Sequence, residues 1–241
     1  MNWKNIEGLV RDGDLNNYIW LILTNVNAIM LKKIYTFPVS GIRGGRPLTT
    51  ESFYTEVMKI TDPALAKRMA DLSRQVHLEK KELLIREGER QEQFVFLLEG
   101  VLRGFFLDIN GREITDCIAF QCGTPAMSTV ILQEPSVISI EAVTPCELLA
   151  IEAQALQRLL QQNTELVWIY NAYLQQALQT HWQIKTMVCQ HTAMERYQWF
   201  LQAYPGLIDQ MNNKHIASFL GMTPVTLSRL RRTLRENDHK Q

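Results

Sequence analysis

The sequence predicts an α+β protein with a helical N-terminal extension, a jelly-roll-like β-roll, one long helix and an all-α C-terminal helix-turn-helix unit. Three observations carry this reading. Short β-runs punctuated by turn residues fill the middle of the chain. Apolar residues then recur at alternating spacings of three and four through three heptads. Near the C-terminus a short capped helix, a glycine and a second capped helix follow one another. These features divide the chain into residues 1–60, 61–162, 163–190 and 191–241.

The 241 residues suffice for two modest domains, each with its own core. Net charge is zero, so a polyanionic partner must be signalled locally. From residue 213 onward, Lys214, Arg229, Arg231, Arg232, Arg235 and Lys240 face only Glu236 and Asp238, which leaves +4 there and −4 elsewhere. The most apolar run, residues 18–31, is interrupted by Thr24, Asn25 and Asn27. It falls short of the roughly 20 apolar residues that span a bilayer and reads as a buried helix. The first ten residues lack a signal-peptide core. Four cysteines (117, 122, 146 and 189) form no CxxC pair, which fits a reducing cytoplasm.

Residues 1–76 read as helical, with Asp14 as a cap and Asp62-Pro63 opening a later helix. Residues 38–47 hold Gly41, Gly44, Gly45, Arg43 and Arg46. A phosphate loop would need Gly-Lys-Ser/Thr after a strand, so a plain surface loop is the better reading. Strands are expected at 94–98, 101–107, 113–120, 137–140 and 147–151, with a hairpin at Asn110-Gly111. Together they form a β-sandwich or roll.

Helical period resumes after Ile151, with Thr164 as the expected cap of the long helix. Val167, Tyr170, Leu174, Ala177, His181, Ile184 and Val188 form its seam. Such a stripe can pack on the protein's own roll or on a second helix. Trp168, Ile169, Tyr173, Leu178 and Trp182 lie off the seam, more apolar surface than one contact needs. The expectation is one face for the roll and one for a parallel homodimer.

In residues 213–235, Asn213 caps a short helix whose Ile216, Phe219 and Leu220 share a face. Gly221 supplies a left-handed turn residue, Thr223 caps the next helix, and Pro224 takes its first position. Leu227, Leu230 and Leu234 point inward, with Val225, Ser228, Arg229 and Arg232 opposite them. Arg can take guanine O6/N7 bidentately, Ser can serve a base edge or phosphate, and Val can touch a thymine methyl. The candidate DNA-binding residues are Thr223, Val225, Thr226, Ser228, Arg229, Arg231 and Arg232. The competing reading is an ordinary helical hairpin with a solvated face.

Residues 216–229, IASFLGMTPVTLSR, resemble the helix-turn-helix of the Crp/Fnr superfamily. Ile85-Arg86-Glu87-Gly88-Glu89, Leu98-Glu99-Gly100 and Gly111 resemble the glycine-punctuated strands of its cyclic-nucleotide-binding roll. Gln133-Glu134-Pro135-Ser136 and Ser139-Ile140-Glu141-Ala142 resemble the segment after its ligand cassette, and Met194-Glu195-Arg196-Tyr197 to Tyr204-Pro205 the start of its DNA-binding domain. The resemblance covers residues 76–235 and implies a homodimer joined by the long helix. It also implies an effector-sensing roll, double-stranded DNA as target and RNA polymerase as partner, in the cytoplasm.

The departures from that pattern bear on the effector. Where the family carries the Arg-Ser/Thr that holds the cyclic phosphate, this chain has Ser136 and Val137. Its Gly-Glu-Leu position falls on Pro125-Ala126-Met127. A phosphate without a charged or bidentate partner gives up its strongest contacts, so cyclic AMP is not expected. The iron–sulfur branch uses N-terminal cysteines, whereas the first cysteine here is Cys117, so that cluster is not expected either. Cys117 and Cys122 read as buried small hydrophobes, with a redox pair as the alternative. Any effector would be a different small molecule contacting Thr124, Met127, Ser136, Val137, His181 and Trp182. His181 reads either as an effector contact or as an interface histidine that sets register. The family's recognition-helix Glu is Val225 here, which shifts specificity toward a thymine methyl.

No HExxH, GxSxG, GxGxxG or P-loop is present, so an enzyme, a catalytic centre and a metal site are not expected. Two other readings stand beside the regulator. One is a DNA-binding regulator without an effector, and the other is a ligand-binding module acting on another protein.

Overall fold

Strand β3 (Gln93–Glu99) is apolar on both faces because each face meets a different layer. The computed structural model describes residues 49–129, 131 and 133–238, all within one compact unit, Gly44–Gln241. The expectations at Asp14, residues 18–31 and residues 38–47 lie outside the described residues.

Seven antiparallel strands form two sheets among the described residues. In the first, β1 (Ser73–Leu78) and β3 flank β7 (Cys146–Glu152), in the order β1-β7-β3. In the second the order is β2-β6-β4-β5, with β2 (Leu83–Ile85), β4 (Leu102–Leu107), β5 (Glu113–Ala119) and β6 (Ser139–Ala142). Val95, Leu97, Leu102, Ile140, Leu148 and Ala150 bury one core shared by both sheets. Phe94 and Phe96, with the opposite parity, meet aromatics outside the roll. Phe53 and Tyr173 lie 5.3 and 5.9 Å from Phe96, and Tyr170 lies 5.8 Å from Phe94.

Helix α1 (Thr50–Ser52) runs into a π-helical turn (Phe53–Val57) that supplies Phe53 and Tyr54 to this outer layer. Helix α2 (Pro63–Asp71) begins as expected, with the Asp62 carboxylate accepting from Ala64 N–H and Pro63 at the first position. Helix α3 (Ala153–Gln162) follows β7, and α4 (Thr164–Gln190) is the long helix. Its N-terminus departs from expectation. Asn163 holds the cap position but its side chain caps nothing, donating instead back to the Leu159 carbonyl at 2.9 Å, and Thr164 is the first helical residue. Glu165 anchors this end instead, accepting from Thr61 N–H at 2.6 Å and from Thr61 Oγ1 at 2.7 Å.

Other boundaries also shift. β1 begins at Ser73, within the stretch read as helical, and β2 lies outside the expected runs, meeting the roll-like segment 85–89 only at Ile85. The strand expected at 137–140 is Ser139–Ala142, and Val137 is exposed. The hairpin at Asn110-Gly111 is a five-residue loop, because Leu107 pairs with Glu113. Asp108 closes it, its carboxylate accepting from the Asn110 and Arg112 N–H groups at 2.8 Å each. Gly111 has φ 73° and Asn110 stays at negative φ, so this is not the two-residue turn with two left-handed residues.

The C-terminal helices are α5 (Ala193–Ala203), α6 (Leu207–Gln210), α7 (Asn213–Phe219) and α8 (Pro224–Asp238). Their core does not stand apart from the roll. Val101 and Val143 join Tyr197, Phe200, Tyr204, Phe219 and Leu227 in one buried cluster, with Ile118, Phe120 and Ile184 packed against it. The C-terminal unit thus covers the β5 side of the second sheet's outer face.

Candidate nucleic-acid interface

Three local devices place α8. Asn212, rather than the expected Asn213, caps α7, its side-chain oxygen accepting from Lys214 N–H at 2.9 Å. Ile216, Ala217 and Phe219 then fix α7 on the core. The chain turns at Gly221, with φ 61°, where a Cβ would lie 2.9 Å from Val188 Cγ1. Arg196 of α5 ties this turn down, donating to the carbonyls of Leu220 at 2.7 Å and Gly221 at 3.2 Å. Finally, Thr223 Oγ1 accepts from Thr226 N–H at 3.1 Å, and Pro224 occupies the first helical position.

Leu227 is fully buried, and Leu230 and Leu234 pack beside it. The opposite face holds Val225, 60% exposed, with exposed Ser228, Arg229 and Arg232, which border one shallow depression with Pro224. Arg229 has no ion-pair partner among the described residues. Arg232 pairs with Glu236 at 2.7 Å across one turn, an exposed contact of little energetic worth that a phosphate can replace. That carboxylate raises the pKa of the Arg232 guanidinium, which stays cationic.

The other expected interface residues do different work. Thr223 and Thr226 spend their hydroxyls on each other at 2.9 Å, in the cap. Arg231 faces away from Arg229. It donates to Asn213 Oδ1 at 2.8 Å and lies 3.9 Å from Asp209, so it holds α8 to α6 and α7.

The expected effector residues do not share one set of free polar groups. Ser136 is buried and its hydroxyl donates to the Ile138 carbonyl. Val137 is 66% exposed. Thr124 and Met127 are half-buried, and the Thr124 carbonyl is taken by Leu97 N–H at 2.9 Å. Gln91 closes this segment from beneath, accepting from Ser128 Oγ at 2.7 Å and Ser128 N–H at 3.1 Å. His181 lies on α4, 4.0 Å from Asp116, and Trp182 is 69% exposed. Burial pushes the Cys117 thiol up to about 12, with Asp116 adding to the shift, and all four cysteines are free. A thiol so rarely ionised is a poor redox nucleophile.

The seam residues divide as well. Tyr170 packs on Phe94, Ile184 on the C-terminal core, and Val188 beside Gly221, all within one chain. Leu174 and Ala177 are half-buried, and Val167 and His181 are exposed. Toward the roll the helix buries Leu166, Ile169 and Tyr173.

One buried cation was not anticipated. Arg103, in β4, is fully buried and faces the C-terminal unit. It donates to Glu113 at 2.8 Å and Glu141 at 2.7 Å, and lies 4.2 Å over the Phe105 ring. A single charge within the apolar stretch 101–107 was the signal that could have exposed it. Among the described residues no helix is long and apolar enough to cross a membrane, and no group of three or more potential metal ligands occurs.

Residues 75–163 match the family model of the cyclic nucleotide-binding domain. No curated protein matches the chain. Solved structures do. FixK2 from Bradyrhizobium japonicum superposes with TM-score 0.63 at 19% identity, covering 69% of this chain and 86% of that one. The c-di-GMP-responsive global regulator CLP from Xanthomonas campestris gives 0.59 at 16% identity, covering 73% and 93%. A chain described as a transcriptional regulator of the Crp/Fnr family from Eubacterium rectale gives 0.60 at 17%, covering 76% and 88%. These likenesses establish the fold, with β-roll, long helix and helix-turn-helix in the order that the resemblance implied.

Proposed function

We propose that this chain, which has the Crp/Fnr fold and a cyclic nucleotide-binding domain over residues 75–163, is a homodimeric, sequence-specific DNA-binding transcription regulator rather than an enzyme. The observation that carries the reading is the outer face of α8. Val225, Ser228, Arg229 and Arg232 stand exposed together on a helix whose other face and N-terminus are fixed. Guanidinium, hydroxyl and methyl groups on one rigid helix are the chemistry of major-groove reading. RNA polymerase in the cytoplasm is the further partner expected of such a role.

Symmetric DNA reading needs two copies, and α4 offers the surface. Val167, Trp168 (57% exposed), Leu178 (56% exposed) and Trp182 fall within about 100° of one another around the helix. Leu174, Ala177 and His181 border this stripe. The partner-facing surface is therefore turned from the Tyr170–Ile184–Val188 side, which the chain occupies itself, toward the two tryptophans.

The roll's effector is a small molecule other than cyclic AMP. The Ser136 hydroxyl is engaged by Ile138, Val137 offers no charge, and the buried Arg103 is matched by two carboxylates on the other sheet face. Selection of bound sequences from a random duplex library, followed by mobility shift, tests the main reading. Enrichment of a two-fold symmetric motif supports it. Binding of all duplexes alike, or of none with and without cell extract, sinks it in favour of a module that acts on another protein.

A further inference from the structure

The contact between α7 and β5 has a titratable group at its centre. Thr115 N–H donates to Ser218 Oγ at 3.1 Å, and that hydroxyl lies 2.9 Å from Thr115 Oγ1 and 3.0 Å from the His215 carbonyl. His215, one turn earlier on α7, points its ring at the same strand. Its Nε2 is 3.8 Å from Glu113 Oε2, beyond hydrogen-bond distance. The Glu113 carboxylate already accepts from Arg103 at 2.8 Å, and Arg103 Nε and Nη2 reach Glu141 at 2.9 and 2.7 Å. The His215 Nδ1 atom is buried with no hydrogen-bond partner.

The charged groups around this imidazole come from every element packed on it: Arg103 from β4, Glu113 from β5, Glu141 from β6 through Arg103, and Lys214 from its own helix. Arg231 of α8 is turned to Asn213 and Asp209 instead. A neutral ring is tolerated here, because a bare lone pair at Nδ1 leaves no buried N–H without an acceptor. A protonated ring would place at Nδ1 an N–H bearing positive charge with no acceptor in reach, beside a guanidinium whose carboxylates are already engaged.

We propose that His215 is a proton-operated latch: its protonation releases α7 from β5 and frees the C-terminal unit from the outer face of the roll. Burial, then the Arg103 charge, outweigh the pull of Glu113 and hold the imidazole pKa down to about 4 while docked. Undocked, the ring returns toward its ordinary 6.5. The undocked state therefore binds more protons between these values, and docking weakens as pH falls through that window. Docking is complete at neutral pH. The latch concerns the α7–β5 contact and stands or falls independently of what α8 reads.

The test is hydrogen exchange on the full chain from pH 7.5 to 4, corrected for intrinsic exchange rates. Residues 113–119 and 213–219 should lose protection between pH 6.5 and 4 while residues 193–203 remain protected. His215→Gln, which cannot gain the charge, should keep 113–119 protected across the same range. Ser218→Ala removes the neighbouring hydrogen bonds and should move the opening to higher pH, by up to about one unit. Opening of His215→Gln in parallel with the parent overturns the proposal. So does loss of protection in 193–203 at the same pH, which means global unfolding. If His215→Gln does not fold, the His215 ring signal is followed by NMR in the unaltered protein. An imidazole that titrates at or above 6.5 in the docked state overturns the latch, and one that titrates well below supports it.

Discussion

Arg196 of α5 reaches across to the carbonyl of Leu220 at 2.7 Å, so the turn that aims α8 is held by a charge-assisted bond from a helix 24 residues earlier. The same nitrogen touches the Gly221 carbonyl at 3.2 Å and the Val188 carbonyl at 3.4 Å, which joins the end of α4 to the turn. Hydrogen bonds to charged groups are worth about 1.5–3 kcal/mol. Arg196→Met keeps the stem and should destabilise the protein by about that much in urea denaturation. Stability unchanged within error means that the turn holds without it.

The arginines of α8 are expected to separate into three behaviours. Arg229→Ala should lose about 1–3 kcal/mol of discrimination at one base pair per half-site. Arg232→Ala should weaken all sequences alike and lower the salt slope by about one per contact. Arg231→Ala should leave discrimination intact and lower stability, because Arg231 binds Asn213 and lies near Asp209. Titrations of a selected duplex at several salt concentrations read all three. Equal loss of discrimination in Arg229→Ala and Arg231→Ala would mean that the DNA-facing side of α8 is misassigned.

Arg103→Met should be among the most damaging single substitutions. It leaves Glu113 and Glu141 without their cation in a partly desolvated site, a change that typically costs about 3–5 kcal/mol. Glu113 is about one-third exposed, which points to the lower end. The Arg103 hydrogen bond is also the chief reason the Glu113 carboxyl sits below its ordinary 4.5. That contribution is present above pH 4.5 and lost as pH falls through the lowered value, so the variant should show a shallower loss of stability in acid. A variant as stable as the parent at pH 7 contradicts the buried-ion account.

Local chemistry explains what was legible in the sequence. Asp62-Pro63, Gly221 and Thr223-Pro224 act on their immediate neighbours, and each holds in the fold as read. The run 94–98 reads as a strand, but its two partners, the roll core and the Phe53–Tyr173 layer, lie far away in sequence. Sequence alone groups Arg231 with Arg229, both cations on one helix, and only Asn213 and Asp209 separate their roles. The seam stripe, apolar but for His181, is visible in the sequence as a periodicity. Its occupant was not legible, because Phe94 and the Phe219 core are brought to α4 by tertiary contacts. The Arg103 cluster escaped for the same reason, since its three members sit on three strands.

Calorimetry with cyclic AMP and cyclic GMP should show no binding in the micromolar range. The phosphate would meet Ser136, whose hydroxyl is taken by Ile138, and the uncharged Val137. Without a guanidinium, the phosphate loses the charge-assisted contacts that give such a site its strength. Micromolar binding of either nucleotide refutes the altered-cassette reading.

The proposed dimer surface is tested by substitutions that distinguish the two sides of α4. Trp182 is 69% exposed in one chain, and Trp168 and Leu178 lie on the same stripe. Burying a large apolar side chain is worth about 1.5–3 kcal/mol, and a symmetric interface counts it twice. Trp182→Glu and Leu178→Glu also set like charges against each other across the two-fold axis. Each should give folded monomers at micromolar concentration in analytical ultracentrifugation. Monomers lose the effective concentration that links two half-sites, so affinity for a symmetric duplex should fall by about 100-fold or more. Ile184→Glu should behave differently, because Ile184 packs on the C-terminal core of its own chain. It should lower thermal stability before it changes the association state. Leu174→Glu, at the border of the stripe, should weaken both. If Trp182→Glu and Leu178→Glu remain dimeric while Ile184→Glu becomes a stable monomer, the partner faces the Tyr170–Ile184–Val188 side, and the C-terminal unit must leave that side when two chains meet.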